Sequence, residues 1–421
     1  MALPPWTVEV LRRSLSEVAS RTDPQQLQRW KDQASQLLTD LPGVAARGVE
    51  TVMQTAKQQS ETVEKWAQSH TRRSQRLINA SGVLRSPLGT GIPPSAEVLS
   101  HGIARMDAAA IDGPATRHRI ESAARQMGQP SGDVVFQTRL PAAVVAVCRA
   151  LSADKTLCFH RSQAVRLDHG PSIPDLLREM GVPVREIGSI DGFDASDFPN
   201  DDQSIAVVLH RTEPLPDTLP AIVVLTVASV TPIDNWDSVP VISQQVRSEN
   251  DVAIVACDGL IGGGAGAAVC AAGAHAKKLQ NDLGLRLTAA NDAAAAMMTE
   301  AILSAENPDA ASAVSLLHLD VENLRGRAER MATRLGDRDR IASCRVSDDP
   351  CKLDPSLDID VPSRQLRIRP SSVAAADMRQ KALQGDPSVA CTVDGNEVVV
   401  DLRWVLPSDD AALADVLAEA V

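Results

Sequence analysis

The five-residue run Gly262-Gly263-Gly264-Ala265-Gly266 is the first place to look for chemistry, because glycine lets successive backbone N–H groups turn toward an anion. It lacks the Gly-Lys-Ser/Thr ending of a nucleotide phosphate loop and does not fit a dinucleotide fingerprint, so a tight backbone turn between strands is expected. Just ahead of it, Cys257 beside Asp258 offers a thiol, but Cys257 ends an apolar run and no histidine lies nearby in sequence. A buried, inert thiol is the expectation. Arg139, in Phe136-Gln137-Thr138-Arg139-Leu140-Pro141, opens a helical stretch, and a helix N-terminus attracts anions. Cys344 with Cys351, and His160, His169 and His210, are spaced too widely or singly for a recognisable metal set, so no metal site is expected.

These residues need elements to hold them. Short apolar runs at Asp133 to Phe136, Thr156 to Phe159, Ile205 to Leu209, Ala221 to Val227 and Val252 to Cys257 read as strands. Helical stretches at Pro141 to Ala150 and Ile173 to Met180 fall between them, and that alternation favours βαβ crossovers and a mainly parallel sheet. Ahead of this core, apolar residues at helical spacing mark helices over residues 6 to 21 and 27 to 41, and a long third one carries Val49 to Trp66. Arg72, Arg73 and Arg76 form a basic cluster where that module ends. After about Ser315, an Arg- and Glu-rich helix from Arg325 to Arg340 reads as a solvated face or subunit contact. Strands follow at Ile341 to Val346, Gln365 to Ile368 and Val398 to Leu402, then a final helix from Asp409; Ser347 to Pro362 is dense in Asp, Pro and Ser and is expected to be a loop. The division is 1–75 helical module, 76–315 large α/β domain and 316–421 small α+β domain.

Composition narrows the function. Across 421 residues hydrophobic types make up 44% but aromatics only 2%, with no Tyr, so the core must be built from Ala, Val, Leu and Ile in closely packed helices and strands. A net charge of -12 argues against broad binding to phosphate backbones, which needs clustered Lys and Arg. Seven Cys without paired short spacings suggest reduced thiols. No leader-like opening and no apolar segment of about 18 residues is present, so a cytoplasmic protein without a membrane span is expected.

Several phrases resemble the bacterial L-seryl-tRNA(Sec) selenium transferases, the selenocysteine synthases, over about residue 76 to the end. Arg76-Leu77-Ile78-Asn79-Ala80-Ser81-Gly82-Val83-Leu84 is similar to the family opening, and the run after it is Arg85-Ser86-Pro87-Leu88-Gly89. Asp112-Gly113-Pro114-Ala115-Thr116-Arg117 resembles the family's Gly-Ser-Arg segment, with Arg117 matching its arginine. Arg161 with Ser172-Ile173-Pro174-Asp175, and the closing Asp401-Leu402-Arg403-Trp404-Val405-Leu406-Pro407, also match. The resemblance implies the fold-type-I architecture of pyridoxal-phosphate enzymes. It implies a cofactor held as a Schiff base on a lysine, and a pyridinium nitrogen kept protonated by an acid.

Both groups are missing from the matching runs. The family's Ser-Gly-Asp-Lys-Leu-Leu-Gly-Gly corresponds to Ala256-Cys257-Asp258-Gly259-Leu260-Ile261-Gly262-Gly263, which puts Gly259 at the lysine position. The family's acid-bearing segment corresponds to Val224-Leu225-Thr226-Val227-Ala228-Ser229, which has no carboxylate; Asp234 is expected to sit in a loop. The residues still matching, and so the candidates for cofactor contact, are Arg117, Arg161, Asp258, Gly262 and Gly263. The family's Asn-rich turn, which opens the helix that receives the phosphate, corresponds to Phe136-Gln137-Thr138-Arg139-Leu140-Pro141, and coordinated loss of lysine, acid and this turn implies a noncatalytic descendant, a pseudoenzyme without covalently held pyridoxal phosphate. It would act as a structural or regulatory partner in a homo- or hetero-oligomer, with an active paralogue as one candidate. An active selenium transferase and a tRNA-contacting protein are the alternatives.

Overall fold

The computed structural model describes residues 76–421 apart from 108–113, 129–132, 154, 164–171, 211–214, 217–218, 246–250, 306, 308–311, 356 and 358. The helices expected before residue 75, Arg72 and Arg73 lie outside the described residues, as do Asp112, Gly113 and His169.

The first part of the chain forms β1 (Leu77–Asn79), α1 (Ala96–Asp107), α2 (Pro114–Gln126), β2 (Asp133–Gln137), α3 (Leu140–Leu151), β3 (Thr156–His160), α4 (Ile173–Glu179), β4 (Val184–Ile187), β5 (Ser204–Leu209) and β6 (Ala221–Leu225). It continues through α5 (Ile242–Gln245), β7 (Val252–Ala256), β8 (Ala267–Ala271), α6 (Gly273–Asn281), α7 (Leu283–Leu287) and α8 (Asp292–Leu303). Seven of these strands make one sheet in the order β2-β8-β7-β6-β5-β3-β4. The pairs from β7 to β4 are parallel, and β8 runs antiparallel to both of its neighbours. The mainly parallel α/β sheet expected from the alternation is therefore present.

Strands β5, β6 and β7 are buried at every residue, as a parallel sheet covered on both faces requires. Successive side chains go to opposite faces. Ile222, Val224 and Ile254 pack with Val144 and Val147 of α3, while Val223, Leu225 and Val255 pack with Met298 and Ile302 of α8. Each fully buried aliphatic side chain contributes about 1.5–3 kcal/mol of transfer free energy. Alanines at 143, 146 and 150 on α3 are buried and let that helix lie close to the strands.

The C-terminal part comprises α9 (Ser312–Leu317), α10 (Val321–Gly336), β9 (Ile341–Ser347), β10 (Cys351–Lys352), β11 (Asp360–Val361), β12 (Gln365–Pro370), α11 (Ala375–Gln384), β13 (Ser388–Ala390), β14 (Thr392–Asp394), β15 (Glu397–Asp401) and α12 (Asp410–Glu419). An antiparallel sheet in the order β14-β15-β12-β9 shares a core with α10, α11 and α12. Strand β1 pairs in parallel with β13, Leu77 opposite Ser388, so the first described residues pack with C-terminal ones.

Two local expectations change. The stretch read as a loop, 347–362, holds the antiparallel pair β10 and β11, with Cys351 opposite Val361. Its scattered apolar residues Cys351, Leu353, Leu357 and Val361 bury together with Leu84 and Trp404, a pattern hidden by the surrounding Asp, Pro and Ser. The Arg-rich helix stops at Gly336 instead of reaching Arg340, and it is not wholly a solvated face. Arg327 is buried, 2.7 Å from Asp410, and donates to the Val405 carbonyl. No helix among the described residues is long and apolar enough to cross a membrane.

Candidate functional site

In open α/β sheets ligands bind beyond the carboxyl ends of the strands, and here those ends carry His160 (β3), His210 (after β5), Thr226 (after β6) and Cys257-Asp258-Gly259 (after β7). The β7–β8 turn closes tightly: the Cys257 N–H donates to the Gly266 carbonyl at 3.0 Å and the Gly263 N–H to the Cys257 carbonyl at 2.8 Å. Gly259, Gly262 and Gly264 all adopt positive φ there. The Gly-rich run is thus a backbone turn between strands, and Cys257 is a fully buried thiol whose pKa burial pushes well up.

Gly259 has φ +75, the left-handed region, and a Cβ built on it would meet Leu84 Cδ2 at 3.9 Å as its nearest neighbour. Space for a side chain exists; the backbone conformation disfavours one. Asp258 is held by Arg85, whose Nε lies 3.2 Å from its Oδ1 with both side chains largely covered. This pair joins positions 173 apart in sequence; both residues stand in matched phrases, but nothing in either phrase signals that they meet. Beyond Gly259, Leu260 joins Leu84, Val227, Leu353, Leu357 and Trp404 in one apolar cluster.

The described lysines lie elsewhere. Lys277 and Lys278 are on α6, which starts from the carboxyl end of the antiparallel β8 and so at the opposite edge of the sheet, roughly 15 Å away by the strand rise. Lys155 immediately precedes β3 at that same far edge. Lys352 donates and accepts through its backbone at Gly82 and Leu84, but its neighbours Cys351 and Leu353 both enter the apolar cluster, so strand alternation sends its side chain the other way. Lys381 is exposed on α11.

At the end of β6, Thr226 lies in the run that the resemblance matches to the acid-bearing segment, a run without a carboxylate. Its hydroxyl lies 2.7 Å from Nε2 of His210, and its backbone N–H donates to the same nitrogen at 3.3 Å. Nε2 is therefore the acceptor, and the proton sits on Nδ1, which has no hydrogen-bond partner among the described residues. His210 itself has φ +44, a strained conformation for a residue with a Cβ. Burial pushes its pKa down to about 4, against an upward pull from Asp354. Asp234, as expected, is an exposed carboxylate in a turn after β6.

The end of β3 holds a constellation that spacing did not reveal. His160 bridges Ser162 Oγ, 2.8 Å from Nδ1, and Asp197 Oδ2, 3.0 Å from Nε2. Its ring is covered by Phe193 and Phe198, with centroids at 5.0 and 6.2 Å, and a Cβ on Gly188 would overlap it. The arrangement locks the end of β3 to the 195–197 turn. Ser162 is the half-buried member.

The remaining candidates are dispersed. Arg117 is exposed on α2. Arg161 is exposed after β3 and donates to the Gly188 carbonyl at 2.9 Å. Arg139 is exposed at the N-cap of α3, with no side-chain capping bond. Gly262 and Gly263 lie in the turn, and a Cβ on Gly263 would press on Met298 Cα at 3.1 Å, so that glycine serves close packing against α8. The cavity beside Leu260 and Ile261 measures about 180 Å³ and is lined by Ser229 to Asp234, Ala305, Val314 and His318, without Lys or Arg. Among the described residues no lysine stands around Gly259, the matching run at the end of β6 has no carboxylate and the cavity beside Leu260 has no Lys or Arg, so these residues do not fit covalently bound pyridoxal phosphate.

The most literal of the matching phrases is structural. Arg403 is 1% exposed; it donates to the carbonyls of Leu316 at 3.0 Å, Leu319 at 2.7 Å and Pro362 at 2.9 Å. It thus caps the carboxyl end of α9. Asp401 accepts from Ser363 Oγ and from the Arg403 N–H, and Trp404 donates to the Lys352 carbonyl.

Solved structures share this architecture. D-glucosaminate-6-phosphate ammonia-lyase superposes with a TM-score of 0.59 at 14% identity, over 83% of this chain and 97% of that one. The Sphingomonas wittichii serine palmitoyltransferase (TM-score 0.46, 8% identity, 83% and 87% covered) and the Francisella tularensis 8-amino-7-oxononanoate synthase (0.44, 12%, 81% and 97%) are more distant and carry no argument. No protein-family model matches the chain, and no curated protein matches it in sequence. The likeness shows the fold: an α/β protein with a mostly parallel central sheet, the architecture of fold-type-I pyridoxal-phosphate enzymes.

Proposed function

We propose that this chain is a selenocysteine-synthase-like pseudoenzyme, which keeps the fold-type-I frame and acts as a structural or regulatory partner, with itself or with an active paralogue, in the cytoplasm. The proposal keeps the three-part division at residues 75 and 315, with β1 contributed to the C-terminal part. The observation that carries it is Gly259 at the end of β7, in a left-handed conformation beside Leu84, with the lysines of α6 at the far edge of the sheet. The absence of a carboxylate from the matching run Val224 to Val230 supports the same reading, because a protonated pyridinium is what makes that cofactor an electron sink.

An absorbance spectrum from about 300 to 500 nm with added pyridoxal phosphate, before and after borohydride, tests it, because a protein aldimine needs a lysine. The expected result is free cofactor alone. A reducible visible band with one labelled lysine overturns the proposal in favour of an active transferase. Contact with tRNA finds less support: Arg76, the described member of the basic cluster, is paired with Asp409.

A further inference from the structure

On one face of the large sheet, α3 lies between α4 and α7, and an open groove of about 380 Å³ runs over it. The floor is Ala142, Val145 and Ala146 of α3; Leu176 and Met180 form the α4 wall, and Gly284 belongs to the α7 wall. The rims are apolar too. Leu283 and Leu287, one turn apart on α7, are 66% and 77% exposed, and Met180 at the end of α4 is 48% exposed. Single exposed apolar residues need no explanation, but three beside one apolar groove make a patch.

The charges on these three helices fall into two groups. Arg149 of α3 lies 3.0 Å from Asp282, the N-cap of α7, and Arg178 of α4 pairs with Asp175 at 2.8 Å and with Glu186. Glu179 of α4 and Arg286 of α7 are exposed, and neither side chain has a hydrogen bond or ion pair among the described residues. They are opposite in sign and sit on opposite walls of the groove. Glu179 also closes α4, the end where the helix dipole disfavours an acid, so its own helix does not account for it.

A two-fold axis parallel to α3 exchanges the two walls, so that α7 of one copy comes over α4 of the other. It sets Leu283 and Leu287 against Met180 and the mouth of the groove, and Arg286 against Glu179, and an isologous contact makes each of these pairs twice. We infer that the face formed by α3, α4 and α7 is a homodimer interface whose occupant is a second copy of this chain. The inference rests on the reading of the chain as a partner in an assembly, and it names the surface through which that assembly forms.

Sedimentation equilibrium of the full chain tests it, with circular dichroism to confirm that each variant keeps its fold. The wild type should sediment as two copies or an even multiple of two. Leu287→Glu, and Arg286→Glu, which opposes two carboxylates in both halves of the interface, should each raise the dissociation constant by about tenfold or more. Combining Arg286→Glu with Glu179→Arg exchanges the charges and should restore wild-type association. Pyridoxal-phosphate spectra report on the Gly259 end of the sheet and sedimentation on this face, so either proposal can fail without the other. A single-copy mass, an assembly untouched by Leu287→Glu, or a double variant as weak as Arg286→Glu alone would each overturn the inference.

Discussion

Arg85 Nε lies 3.2 Å from Asp258 Oδ1, while the adjacent Leu84 is the nearest side chain to Gly259. Two consecutive residues from the start of the described chain therefore close over Asp258 and Gly259, the positions that the resemblance matches to an acid and the Schiff-base lysine after it. The guanidinium supplies charge there but cannot form an aldimine.

Gly259→Ala measures the backbone part of that arrangement. With φ +75 and open space at 3.9 Å, the cost should be conformational, about 1–2 kcal/mol lost in urea unfolding. An unchanged midpoint and slope would show that the left-handed conformation is not required.

His210 should make stability pH-dependent. Its pKa falls from 6.5 in the unfolded chain to about 4 when folded, so between those values the unfolded state binds the extra proton and stability drops as pH falls. Asp401 acts with the opposite sign. Burial raises its pKa from 3.8 to about 6, so in an overlapping window the folded state takes up the proton and acidification favours folding. His210→Gln should accordingly gain on the order of 3 kcal/mol relative to wild type between pH 7 and pH 4. Asp401→Asn should lose stability more steeply than wild type over the same range. Parallel curves for all three proteins in urea titrations at pH 7, 5.5 and 4 would sink the assignment.

Arg403→Lys should cost about 3 kcal/mol, because an ammonium cannot reach the carbonyls of Leu316, Leu319 and Pro362 together, and of these only Leu316 keeps another donor, the Leu319 N–H. The measurement is thermal unfolding of the variant. A shift no larger than that of an exposed Arg→Lys control would refute the clamp.

The thiols should be inert. All seven cysteines are free, and Cys344 alone is half-buried, the others being buried. Burial pushes Cys148 and Cys270 up to about 12 and Cys344 and Cys391 up to about 11. A disulfide exchange reagent at pH 8 should titrate seven thiols in denaturant and at most Cys344, slowly, in the native protein. Rapid native reaction at Cys257 would reopen the nucleophile reading of Cys257-Asp258.

Strand and helix periodicity made the sheet legible, because β5, β6 and β7 are continuous apolar runs that leave little choice of structure. The β10–β11 pair was not legible, since its apolar residues are spread among Asp and Pro and gain meaning only against Leu84 and Trp404. His160 with Ser162 and Asp197 escaped for a similar reason: Asp197 is 37 residues away, brought in by the turn after β4.

From the sequence alone came the α/β class, the turn at Gly262–Gly266 and the glycine at 259 where the resemblance implies a lysine, because local periodicity and residue identity are written in the chain itself. The tertiary structure decided that Lys277 and Lys278 stand at the wrong edge of the sheet, since only the antiparallel course of β8 sets where α6 begins. It also decided which charges meet. Arg85 with Asp258, and Arg119 with Glu300, are joined by packing across elements distant in sequence, where attraction depends on separation in space and not along the chain.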